Sequence, residues 1–147
     1  MGLAKTYNTD YQVGDSAGTG TELFTGVKKF QTLGINPPYV EWNVCDLVKN
    51  QKGRLDTLAD WGVKSRKEVG VVTTARVTHA TPGAMYAKTA NRDWESDAEM
   101  PEGSRCDDIA TQFINNDNIK VMMGGGKRNF KLKEQGGVRK DKDLVDE

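Results

Sequence analysis

The 147-residue chain carries 21 basic and 21 acidic side chains, so its formal net charge is zero. That balance excludes an overall electrostatic pull toward nucleic acid or an anionic membrane, and the length suits one domain burying about two-thirds of its unfolded surface. With 36% hydrophobic residues, no apolar run approaches the ~20 residues that span a bilayer, and the segment from Met1 to Lys5 lacks the apolar core of a signal peptide.

In chain order, residues 16–30 read as a helix, because Leu23, Val27 and Phe30 recur at helical spacing while Glu22, Lys28 and Lys29 face elsewhere. Gly34, Pro37, Pro38 and Gly53 break the stretch 31–53 into loop. Leu55, Leu58 and Trp61 predict a second helix within 54–67. The β-branched run Val69-Gly70-Val71-Val72-Thr73-Thr74 predicts a buried strand. Thr81-Pro82 opens a short helix through Ala87, with proline at a favoured first-turn position. Residues 107–115 form a helix with Ile109, Phe113 and Ile114 as its apolar stripe, and Ile119–Met123 a second strand closed by Gly124-Gly125-Gly126. From Lys127 onward 12 of 21 residues are charged, which reads as a solvated segment. Helices alternating with β-branched runs indicate an α/β fold with parallel strands. Two strands leave both edges and much of each face uncovered.

The segment Asp15-Ser16-Ala17-Gly18-Thr19-Gly20-Thr21 places a hydroxyl directly after a carboxylate among small residues. A helix starting at Ser16 would aim free N–H groups and partial positive charge at that hydroxyl, a setting for a phosphoryl group. Gly14-Asp15-Ser16-Ala17-Gly18 also matches the G-x-S-x-G nucleophile elbow of serine hydrolases. The elbow requires a buried strand before it, and the polar residues 5–13 do not supply one. The plainer alternative is a glycine-rich turn with an N-capping Asp or Ser. His79, the single histidine, lies just past the carboxyl end of the first strand, where ligands of open α/β sheets collect. The Thr81 hydroxyl two residues on could share a hard cation with it. One histidine cannot furnish a His-rich zinc centre. Arg92 could grip phosphate bidentately or pair with Asp93 or Glu95 on the surface. The run Gly124-Gly125-Gly126-Lys127-Arg128 fails as a phosphate loop, since Arg128 stands where Ser or Thr must hold magnesium. Cys45 and Cys106 are two reduced thiols or one disulfide, the thiols slightly favoured by arithmetic.

Taken together, ordered blocks along nearly the whole chain resemble the alkaline phosphatases of the animal type. They are Lys5-Thr6-Tyr7-Asn8, Asp15-Ser16-Ala17-Gly18-Thr19, Gly26-Val27-Lys28 with Phe30-Gln31-Thr32-Leu33-Gly34, the run Val69–Thr74, and Arg76-Val77-Thr78-His79-Ala80-Thr81-Pro82. Tyr86-Ala87, Asn91-Arg92-Asp93-Trp94, Ser96-Asp97-Ala98-Glu99, Cys106-Asp107-Asp108-Ile109-Ala110-Thr111-Gln112 and the triple glycine continue the match. The resemblance implies a large mixed, mostly parallel sheet between helices, of which this chain is an incomplete part, with residues 1–147 a partial domain. It implies hydrolysis of phosphate monoesters at a site holding two zinc ions and one magnesium ion. Ser16 would be the nucleophile forming a phosphoserine and also a zinc ligand, Asp15 would orient the phosphate-gripping Arg92, and His79 and Thr81 would be magnesium ligands. It further implies a Cys45–Cys106 disulfide, a homodimer and an extracellular or cell-surface location.

The family's remaining metal ligands, an aspartate near the N-terminus and several Asp, Glu and His residues of the C-terminal half, have no counterpart here. The chain therefore reads as an internal fragment, inactive by itself. The alternatives are a short interaction module without catalysis and, with less support, a metal-independent serine esterase.

Overall fold

The computed structural model describes residues 2–145. Among the described residues five α-helices and two strands follow one another as α1 (Ser16–Thr25), α2 (Leu47–Lys52), α3 (Leu58–Lys64), β1 (Val69–Arg76), α4 (Ala80–Gly83), α5 (Ile109–Ile114) and β2 (Ile119–Gly125), with short 3-10 turns between and after them. The fold is α/β, with a small parallel sheet.

Helix α1 begins where the Asp15 carboxylate accepts from the Ala17 and Gly18 N–H groups, and it ends at Gly26, whose φ of 79° is the left-handed conformation that closes a helix. It is therefore five residues shorter than the apolar spacing predicts. Val27 and Phe30 lie beyond it, and Leu23 is exposed. The buried side is made instead of Ala17, Gly18, Gly20 and Thr21. A Cβ on Gly20 would stand 3.2 Å from the Ala84 Cβ, so small residues let α1 lie close to the α4 turn.

Asp46 caps α2 inside the stretch predicted as loop. The helix predicted over 54–67 shrinks to α3, where Thr57 and Asp60 form a reciprocal capping box and thereby set the start. Leu58 and Trp61 are exposed. Proline does not open α4: His79 is its N-cap and Pro82 its third residue.

Strand β1 pairs in parallel with β2, with Val71 opposite Met122 and Arg76 opposite Gly125. Both strands run longer than predicted, and neither is buried on both faces. Met122 packs inward, whereas Val72 (76% exposed) and Met123 (60%) point outward from paired positions.

Three apolar clusters form the core. Leu33, Ala84, Ala87 and Ile109 pack with α1, Trp94 packs with Ile35, Val40 and Ala90, and Phe130 and Leu144 pack with Val77 and Ala110. The last cluster corrects the reading of the charged C-terminal stretch as solvated. It folds back, buries Phe130 and Leu144, and inserts Arg139, whose guanidinium meets the Asp108 carboxylate through two bonds of 3.1 and 3.0 Å. Asp146 and Glu147, also in the stretch predicted as solvated, lie outside the described residues. Cys45 and Cys106 form a disulfide, so the slight preference for free thiols was wrong and the pairing implied by resemblance holds.

Candidate functional site

Four of the five candidate residues meet at the start of α1. Asp15 is its N-cap and Ser16 its first residue. His79 comes from the turn after β1, and Arg92 from the loop after α4. One guanidinium nitrogen of Arg92, Nη1, donates to Ser16 Oγ at 2.7 Å and to Asp15 Oδ2 at 3.1 Å. The other, Nη2, lies 3.2 Å from His79 Nε2. Thr81 stands two residues on, exposed, outside this set of contacts.

The Asp15 carboxylate that accepts from Arg92 is itself held from several sides. Oδ2 accepts from Ala17 N at 3.0 Å, and Oδ1 from Gly18 N, Gln31 N and the Asn8 side-chain amide, each at 3.1 Å. The helix N-terminal amides thus serve the Asp15 carboxylate and are not free to hold the Ser16 oxygen, as the sequence had suggested. Burial of this carboxyl opposes its ionisation, but the hydrogen bonds from Gln31, Gly18, Ala17 and Arg92 outweigh it and hold it below the usual carboxylate range. Asp15 is therefore an anion throughout the neutral range. For His79 burial comes first, with the positive charges of Arg92 and Arg76 adding to it, and both push the imidazole below its ordinary value. Its ring is neutral at neutral pH, and since a guanidinium only donates, its lone pair sits on Nε2 toward Arg92.

Two contributors were invisible as site residues in the sequence. Gln31 has φ of 55°, a left-handed conformation unusual for a residue with a side chain. Its N–H donates to Asp15 Oδ1 while its carbonyl accepts from Arg92 N at 2.8 Å, so one residue in the left-handed conformation ties the carboxylate to the arginine loop. Asn8 is buried, and a Cβ on Gly18 would lie 2.2 Å from its Oδ1, so the glycine admits the amide that reaches Asp15. The repeated glycines of the segment hinted at such a close approach, but nothing marked its partner.

Of the surface pairs considered for Arg92, Asp93 is only loosely engaged at 3.8 Å, and Glu95 is taken by another arginine. Arg76 binds Glu95 through Nε and Nη2, and Glu95 Oε2 also accepts from Thr78 Oγ1 at 2.6 Å and the Asn129 amide at 2.8 Å. This network locks the end of β1 to the arginine loop behind His79.

As for metals, the described residues contain no cluster of three His, Cys, Asp or Glu side chains able to hold an ion. A neutral imidazole beside an exposed threonine hydroxyl and a serine supplies part of a ligand set and no more.

The alkaline phosphatase family model matches residues 1–147. The tissue-nonspecific isozyme of alkaline phosphatase from Gallus gallus is 48% identical over 134 residues, covering 87% of this chain and 25% of that protein. The membrane-bound alkaline phosphatase of Bombyx mori is 40% identical over the whole chain, which spans 29% of that protein. Among solved structures, Thermus thermophilus alkaline phosphatase superposes with a TM-score of 0.70 at 28% identity, covering 99% of this chain and 25% of its own. A variant of TAB5 alkaline phosphatase with magnesium bound superposes at 0.67 and 25% identity, over 88% of this chain and 30% of its own. The chain thus spans between a quarter and a third of the length of these relatives.

Proposed function

Because the chain belongs to the alkaline phosphatase family, we propose that it carries the nucleophile and the phosphate grip of a phosphate-monoester hydrolase. The observation that carries this reading is the single guanidinium spanning Asp15, Ser16 and His79. As Ser16 gives up its proton its Oγ attacks phosphorus, the P–O bond to the alcohol breaks with its electrons on the alcohol oxygen, which takes up a proton, and a phosphoserine remains. Water then attacks the same phosphorus, releasing inorganic phosphate and restoring the hydroxyl. Arg92 exchanges its bond to Ser16 Oγ for two phosphate oxygens, and Asp15 keeps its plane aimed at them.

The two zinc ions and one magnesium ion associated with the family supply, when bound, nucleophile activation and neutralisation of the leaving oxygen. His79 and Thr81 fit as part of the magnesium shell, and Ser16 as a zinc ligand. The other ligands are not among the residues of this chain, so the 147 residues alone are inactive. A colorimetric phosphomonoester assay of the chain with added zinc and magnesium tests this: no turnover is expected, and robust turnover abolished by Ser16→Ala would refute it.

The full family-length protein acts on phosphate monoesters, pairs as a homodimer and works outside the cell or at its surface. A relative described as membrane-bound and the Cys45–Cys106 disulfide both favour that location. The outward-facing Val72, Val121 and Met123 favour a second reading for the isolated chain, as a module that associates through this uncovered sheet face.

A further inference from the structure

On the side of the α2 segment, a second polar cavity is built around Lys88. Its backbone is held by Gln112, whose Oε1 accepts from Lys88 N at 2.8 Å and whose Nε2 donates to Lys88 O at 3.2 Å. Its side chain runs over Gly34, where a Cβ would come within 2.6 Å of Lys88 Cδ and 3.0 Å of Nζ. Only a glycine leaves that path open, and its φ of 60° suits one as well. The ammonium so delivered is buried and has no hydrogen-bond partner among the described residues.

A second orphan belongs to a residue of the same wall. Asn50 Oδ1, also buried and unpartnered, and Lys88 both line a cavity of about 110 Å³ with Arg54, Gln112 and the Cys106 side of the disulfide. The walls are fixed: the 34–36 and 53–55 segments pair through Asn36 N to Gly53 O and Leu55 N to Gly34 O, and the disulfide ties the α2 segment to the α5 side. Asp107 stands exposed on the rim and weakens the positive field. Lys88, Arg54, Asp107 and Gln112 also line the adjoining cavity with Asp56 and Asp60, whose charges favour the Lys88 ammonium although neither carboxylate bonds it; they are engaged by Lys64 and by Thr57.

A buried cation without a partner costs free energy that a bound anion would return. A buried acceptor without a partner asks for a donor on the same ligand. We propose that this cavity binds a small oxyanion that also carries a hydroxyl, the chemistry shared by hydrogen phosphate and bicarbonate. Its anionic oxygens accept from Lys88 Nζ and the Arg54 guanidinium, and its hydroxyl donates to Asn50 Oδ1. Burial lowers the Lys88 ammonium to about 8, with Asp60 opposing and Arg54 adding to the effect, so most of it remains charged at neutral pH.

The test is a titration of the 147-residue chain, without zinc or magnesium, with inorganic phosphate, bicarbonate or sulfate at matched ionic strength. It is read as ¹H–¹⁵N shifts of the Asn50 and Gln112 side-chain amides and the Lys88 backbone amide. Phosphate, bicarbonate or both should move these signals saturably, the stronger of the two marking the ligand, and sulfate, equal in shape to phosphate but lacking the hydroxyl, should bind more weakly. Lys88→Met and the isosteric Asn50→Asp, which sets a carboxylate against the anion, should each weaken binding about 10- to 100-fold while keeping native amide dispersion. Arg92→Ala should leave the Asn50 and Gln112 shifts intact, which separates this site from the one at Ser16. Unmoved Asn50 and Gln112 signals up to about 50 mM ligand, where a millimolar site is saturated, would overturn the proposal. So would sulfate binding as tightly as phosphate and bicarbonate, or unchanged binding in both folded variants.

Discussion

At Asp15 five donors converge on one carboxylate: Asn8, Ala17, Gly18, Gln31 and Arg92. Replacing it by asparagine halves the acceptor capacity and leaves the guanidinium without its counter-charge, which should cost about 2 kcal/mol of stability at neutral pH. The folded carboxyl ionises more readily than the unfolded one, so its stabilisation is present above the unfolded value and is lost as pH falls through the folded value. Urea melts of wild type and Asp15→Asn should therefore differ at neutral pH and converge in strong acid. Gln31 makes a sharper case, because its backbone carries both contacts. Gln31→Gly, at home at positive φ, should be neutral to slightly stabilising, whereas Gln31→Pro removes the N–H, cannot adopt that φ, and should destabilise by about 3 kcal/mol or more in the same melts. The serine, its carboxylate, the arginine and the histidine were legible in the sequence because their residue types and order match a family pattern. Gln31 and Asn8 were not, since the first acts through its peptide and the second through a tertiary approach that no spacing encodes.

Among the elements, helix ends followed local chemistry that the apolar periodicity overran. Gly26 stops α1 and the Thr57–Asp60 box starts α3, each inside the window that Leu, Val and Trp spacing had marked. The charged stretch after Lys127 was misread for a different reason: composition reports average polarity and cannot show that Arg139 finds a buried partner. That pair is 4–5% exposed on both sides, and Thr111 Oγ1 and Asn129 O also accept from Arg139. Arg139→Ala leaves the Asp108 carboxylate buried with only the Thr111 N–H and hydroxyl and should lower stability by about 3–5 kcal/mol, while the double variant Arg139→Met with Asp108→Leu should recover only part of it, since Asp108 also caps α5. Denaturant melts of the two variants side by side measure the difference. The disulfide closes a separation of 61 residues, and the chain-entropy argument assigns it about 4 kcal/mol. Cys45→Ser with Cys106→Ser should lower the denaturation midpoint correspondingly, and the reduced wild type should match that variant.

For the molecule as a whole, the same two-stranded sheet explains both what the chain holds and what it leaves to others. It sets His79 past the end of β1 and, through the Arg76–Glu95 network, the Arg92 loop beside it, yet its outer face presents Val72, Val121 and Met123 to water. A face of that kind should drive concentration-dependent self-association in sedimentation, reduced by Val72→Lys with Met123→Glu. The sequence foretold the unfinished sheet from its β-branched run at 69–74 and the second strand at Ile119–Met123, but which face would stay bare depended on packing that only the structure displays. The central claim is that Ser16, gripped by Arg92, accepts the phosphoryl group. Its most direct test uses a family-length protein carrying this segment, loaded with zinc and magnesium, quenched during turnover of a labelled phosphate monoester and digested for mass spectrometry. Phosphate should be found on Ser16, be absent in Ser16→Ala together with turnover, and be reduced in Arg92→Ala. Label on a different residue, or turnover undiminished in Ser16→Ala, would contradict it.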